Sequence, residues 1–201
     1  MTAKEKLIDR IIEMELDMFL AVPADGVYSC QLNPEGFRLH RRAQFSIWSG
    51  GTLQSYHDDL EKAQKDGLNL MTVKYARMEG LISGGNFNPQ IEKIMAIQLR
   101  WQQDMIERYP HLMAGARPLA GSDDSADDTS FETYLRGELE TYSDNTLKLL
   151  HEDMLGYLQM GVNGSERIYE YLVKEMGYNS VEEADQAQNT AKKGPGSKAP
   201  S

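Results

Sequence analysis

The sequence predicts an all-α fold: a single-domain helical bundle of about eight helices, with a long acidic loop before the sixth. Three observations point there. Apolar residues recur at helical spacing in one segment after another. No segment carries the two-residue alternation of a half-buried strand. Glycine and proline fall between the periodic segments, where helices stop.

Helices are expected over 3–22, 36–49, 52–66, 69–83, 89–108, 130–142, 144–161 and 165–177. Pro23 and Gly26 follow the first helix, and Gly50 and Gly51 separate the second from the third. Gly84, Gly85 and Pro89 precede the fifth, and Pro110 ends it. Ser180 is placed to cap a last short turn through residues 181–187. Residues 113–129 are small, acidic and aperiodic, and a loop of that length in a compact domain points to function or disorder. From residue 189 the chain is mainly Gly, Pro, Lys and Ser, which predicts a disordered tail over 189–201 behind one helical domain at 1–188.

The 201 residues are enough for one domain with a real core. A formal net charge of −10 argues against general nucleic-acid binding, which needs a basic face to displace counterions. It argues equally against an anionic membrane surface. No run approaches the length of a membrane span, and charges interrupt the N-terminus too often for a signal peptide, so the expected location is the cytoplasm. Cys30 is the only cysteine, which excludes an internal disulfide or a thiol-rich zinc site. A lone cysteine is expected to be inert.

The informative residues are polar ones inside apolar arcs. In the sixth helix Phe131, Leu135, Leu139 and Tyr142 form one arc with Tyr134 at its edge, and Glu138 falls within it. Glu132, Arg136 and Glu140 share the far side at the spacing of a surface ion-pair ladder. Gly137 is costly in mid-helix, which suggests close packing there. Glu15 lies among Ile8, Ile11, Ile12 and Phe19. Arg41, with Gln44 beside it, is bracketed by Phe37, Phe45 and Trp48. Lys74 lies between Leu70, Met78 and Leu81, while Gln98 and Gln102 interrupt the arc of the fifth helix.

An unpaired buried charge costs several kcal/mol, so these groups must pair or titrate. Two acids and two bases balance. The helices are therefore expected to meet around a shared polar centre in which Glu15, Arg41, Lys74 and Glu138 converge. Two readings remain: an internal pocket for a small polar or anionic ligand, or a closed salt-bridge core with no ligand.

Motifs for known chemistry are missing. None of His40, His57, His111 and His151 lies three residues after an acid, as a di-iron bundle requires. HExxH, P-loop, GxGxxG and GxSxG patterns are absent. No metal site and no cofactor are assigned.

The stretch SFETYLRGELETYS at 130–143 resembles a block of the bacterial domain-of-unknown-function 4125 family. Phe37, Arg41, Gln44, Phe45 and Trp48, the KYARM segment at 74–78, Ser55-Tyr56, Asp59-Leu60 and Tyr109-Pro110 fit the same resemblance, which covers roughly 7–186. It implies a mostly helical protein and supplies no activity. The motif positions it implies include Glu15, Arg41, Gln44, Lys74 and Glu138, with Cys30, Gln31, Tyr56, Asp59, Arg117, Tyr134 and Arg136 as further candidates. In the pocket reading Arg41 and Lys74 hold an anionic group, with Gln44, Gln98, Gln102 and Tyr134 lining the site. Glu15 or Glu138 then moves a proton, in lyase, isomerase or hydrolase chemistry without a bound cofactor. In the alternative reading the chain is a non-catalytic interaction or structural protein.

Overall fold

A computed structural model describes residues 1–22, 33–125 and 128–192. Among them it holds nine α-helices and no strand. Their order is α1 (Ala3–Leu20), α2 (Pro34–Ser46), α3 (Gly50–Lys65), α4 (Leu70–Met78), α5 (Gln90–Arg108), α6 (Phe131–Leu139), α7 (Asp144–Gln159), α8 (Gly164–Glu175) and α9 (Val181–Lys192). Cys30 and Gln31 lie outside the described residues.

Local chemistry starts the helices. Thr2 and Glu5 form a capping box on α1: the Thr2 hydroxyl accepts from the Glu5 N–H at 3.2 Å, and Glu5 accepts from the Thr2 N–H at 2.6 Å. Two serine caps are also tied across the bundle. Asp153 of α7 accepts from the Ser49 N–H at 2.8 Å and the Thr52 hydroxyl at 2.6 Å, at the start of α3. Asp59 of α3 accepts from the Ser143 N–H at 3.1 Å and the Thr146 hydroxyl at 2.7 Å, at the start of α7. Each helix thus places a carboxylate on the other's orphan N–H groups, which fixes the pair antiparallel and in register.

Four expectations about boundaries are corrected. The helix expected over 69–83 ends at Met78, because Gly80 takes φ +68° and the Leu81 N–H returns to the Ala76 carbonyl at 2.8 Å. Leu81 is therefore 71% exposed and no part of the Lys74 arc. Gly50 and Gly51 form the first turn of α3, with Ser49 as its cap, and do not separate helices. The last short turn is a full helix running to Lys192, beyond the compositional boundary at 188.

The fourth correction concerns the acidic loop. It contains 3-10 turns at Met113–Gly115 and Gly121–Asp123 and folds back onto α6. Asp124 accepts from the Ser130 N–H and the Thr133 hydroxyl, both at 2.6 Å, and Glu132 accepts from the Gly121 N–H at 2.8 Å. These bonds hold Asp124 below the usual carboxylate range, Thr133 contributing most. Asp124 thus serves the start of α6.

α1 packs against α2, α3 and α4, and α5 packs against α6, α7 and α8. The main core joins Ile11, Ile12, Phe45, Leu53, Leu60, Ile94, Leu139, Leu147 and Leu150. A smaller core of Met105, Tyr109, Met113, Val173, Val181 and Ala184 fastens α9 to the end of α5. No helix among the described residues is long and apolar enough to cross a membrane.

Candidate functional site

Glu15, Arg41, Lys74 and Glu138 converge from α1, α2, α4 and α6, and none is more than 5% exposed. Each occupies the position on its helix that faces the bundle interior, as the apolar arcs require. Arg41 is the hub. Its guanidinium grips Glu15 in a two-point fork, through Nε to Oε2 at 2.7 Å and Nη2 to Oε1. Its third nitrogen, Nη1, donates to Glu138 Oε1 at 2.9 Å and to Gln44 Oε1 at 2.6 Å. Lys74 Nζ donates to the other Glu138 oxygen at 2.7 Å.

Neutral donors complete both carboxylates. Tyr56 donates to Glu15 Oε1 at 2.6 Å, and Tyr142 donates to Glu138 Oε1 at 2.6 Å. Gln44 Nε2 reaches Glu138 Oε1 at 3.2 Å. Each of the four carboxylate oxygens thus has at least one donor within the cluster.

The electrostatics follow. Burial alone would raise the Glu138 pKa, but Arg41 and then Lys74 overcome it and hold the group well below the carboxylate range. Burial works against the Arg41 charge too, yet Glu138 and Glu15 keep its pKa well above the ordinary value. Tyr56 and Tyr142 are pushed well up, by burial first and by their carboxylate partners second, so both stay protonated as donors. By residue type the cluster balances two acids with two bases.

The other expected site residues scatter. Gln44 joins the cluster. Tyr134 touches it through its ring, whose centroid lies 3.4 Å from Lys74 Nζ and 4.8 Å from the exposed Arg117 guanidinium carbon. Gln102 is buried, but its partner is Tyr169 of α8. Gln98 is half-buried on α5 and makes no bond to the cluster. The two tyrosine donors came to notice differently: Tyr142 as an apolar arc member, Tyr56 through the resemblance alone. The available signal was that a buried phenol needs a partner.

Gly137 has the packing role suggested by its cost. A Cβ there would sit 2.8 Å from Met78 Cγ and 3.4 Å from the Lys74 carbonyl oxygen. The missing side chain lets α4 approach α6, so that Lys74 reaches Glu138. Gly137→Ala is therefore expected to destabilise the protein by about 1–2 kcal/mol, since overpacking outweighs the better helix propensity. Urea denaturation checks it, and a stabilised variant would show that the α4–α6 spacing is loose.

The expected ladder on the outer face of α6 does not form. Arg136 pairs instead with Glu92 of α5, at 2.6 and 3.1 Å, while Glu132 binds the loop and Glu140 faces Arg77. Its side chain is 38% exposed, and exposed ion pairs are weak. Arg136→Ala is expected to cost less than about 1 kcal/mol. A loss several times larger in the same denaturation experiment would show a structural role for the Glu92 pair.

Surface clefts lie elsewhere. One of about 390 Å³ runs between Arg77, Met78, Ser122, Glu132, Arg136 and Glu140, and another of about 290 Å³ lies near Ser46, Tyr157 and Arg167. None of the four converging charges lines either.

The fold and cluster together define an all-helical domain built around a buried, charge-balanced ion-pair centre. The chain belongs to the family described as Protein of unknown function (DUF4125), whose model matches residues 5–186. No curated protein and no solved structure matches it significantly.

Proposed function

We propose that the buried quartet is a structural ion-pair network and that the chain is a non-catalytic interaction protein. One observation carries this: the four charges close on one another and on Tyr56, Tyr142 and Gln44, and every carboxylate oxygen already has a donor within the cluster. A group used for proton transfer needs a pKa near the working pH, and Glu138 is held far from it. Such a network ties four helices to one register, a specificity role documented for some buried polar groups. Exposed Leu81, Ile82 and Phe87, the last 88% exposed, give the surface an apolar segment suited to a partner.

A second reading has its own support. The half-buried Tyr134 ring lies against Lys74, with Tyr75 beside it and the exposed Arg117 on the other ring contact of Tyr134, so movement of Tyr134 opens a path to the quartet. In that reading a small polar or anionic molecule binds Arg41 and Lys74, and Glu15 or Glu138 handles a proton.

Native mass spectrometry of the protein from its own host separates the two. The structural reading expects the bare chain mass, or that mass plus a macromolecular partner. A stoichiometric small-molecule adduct that disappears in Glu138→Gln would overturn it in favour of the second reading.

A further inference from the structure

One more polar residue lies within an apolar arc, on α3. His57 lies on the stripe formed by Leu53 and Leu60, and it is 5% exposed. Neither ring nitrogen has a hydrogen-bond partner. A buried imidazole must donate from at least one nitrogen, and leaving both unpaired is costly. The acids beside it are exposed: Asp58, whose Oδ1 lies 3.8 Å from His57 Nδ1, and Glu61, one helical turn further on. One ligand atom from each of the three lies within 4.8 Å of the others.

We propose that His57, Asp58 and Glu61 form a binding site for a divalent transition cation of the zinc type. Residues three and four apart are neighbours on a helix, so Glu61 lies beside both Asp58 and His57, and Asp58 Oδ1 is 3.8 Å from His57 Nδ1. Zinc takes nitrogen and carboxylate oxygen ligands at about 2.0–2.2 Å, so the three ligand atoms draw together by rotation of the two exposed carboxylates and of the buried His57 ring. Asp58 already accepts from the Gln54 amide at 2.8 Å, and that exposed amide must turn aside or keep the second oxygen. The cation satisfies a histidine nitrogen that the protein leaves bare, and the carboxylates balance its charge. An imidazole with two carboxylates favours zinc, iron or manganese over magnesium or calcium, which prefer all-oxygen sites. Three protein ligands leave a fourth position for water on the exposed side. The site lies on α3 apart from the quartet and does not depend on how the quartet is used.

Zinc titration of the full, chelator-stripped chain tests this, with a competing chromophoric chelator as readout. Binding of one zinc per chain is expected, with little response to magnesium. Asp58→Asn and Glu61→Gln change exposed residues, so both should fold normally by circular dichroism and lose at least tenfold in zinc affinity. His57→Leu removes the bare nitrogens, and is expected to melt no lower than the parent in chelator and to lose its zinc response. Absence of saturable zinc binding by the parent overturns the proposal. So does unchanged affinity in Asp58→Asn and Glu61→Gln, which would place the zinc at other residues.

Discussion

Arg41→Met is expected to be the most damaging single change in the protein, costing at least about 3–5 kcal/mol, the usual loss when one partner of a buried pair is removed. Two features of the geometry place it at or above that range. Arg41 is the cationic partner of Glu15 in a two-point fork, and Glu15 is fully buried. The same guanidinium also donates to Glu138 and Gln44. Methionine fills much of the same space, so the loss reads out stranded charge more than a cavity. Arg41→Lys should recover little, because an ammonium cannot span the fork and reach Glu138 together. Urea midpoints of the two variants check this. A mild effect of Arg41→Met, below about 1 kcal/mol, would mean that Glu15 finds water or takes a proton at small cost, and that the network is not what fixes the fold.

Much of this centre was legible in the sequence because of how helices display side chains. A carboxylate or guanidinium within an apolar arc has nowhere to go but the interior, and the balance of two acids with two bases demanded that they meet. Glu15, Arg41, Lys74 and Glu138 do meet. A helical wheel gives an angle, however, and no height along the axis. Gln102 has the right angle on α5 but lies at the α8 contact, beside Tyr169. Gln98 is half-buried on the same helix. Arg136 was placed on the right face with the wrong partner, since the reach of Glu92 across to α6 is a tertiary fact.

The helix ends were harder to read. Gly80 stops α4 through a left-handed residue and a backbone bond to Ala76, whereas the apolar pattern runs on through Leu81. The 113–129 segment carries no periodicity, yet Asp124 and Glu132 tie it to α6 by hydrogen bonds. Composition does not reveal such bonds. His57 shows in the sequence only as a histidine with no acid three residues before it, and its lack of hydrogen-bond partners is a tertiary fact.

Glu138→Gln is the second large effect, and its pattern separates the two readings of the centre. The amide keeps the shape but removes the charge that Arg41 and Lys74 share. A structural network then loses about 3–5 kcal/mol at neutral pH, because a net positive charge is stranded in the core. Adding Lys74→Met removes the stranded ammonium, and the double variant is expected to be more stable than Glu138→Gln alone. The pH dependence has a definite sign. The folded-state pKa of Glu138 is lowered, so its contribution is fully present above the unfolded value and is lost as pH falls through the folded one. The difference between parent and Glu138→Gln should therefore stay constant near neutrality and shrink below about pH 4.3, where the unfolded carboxylate takes up a proton. Denaturant titrations of parent, single and double variants at several pH values check both statements. A centre built for a ligand behaves oppositely. Its empty state already tolerates unbalanced charge, so Glu138→Gln is neutral or stabilising, and Lys74→Met adds no recovery. That outcome would return Glu138 to the role of a ligand-facing acid and sink the structural reading.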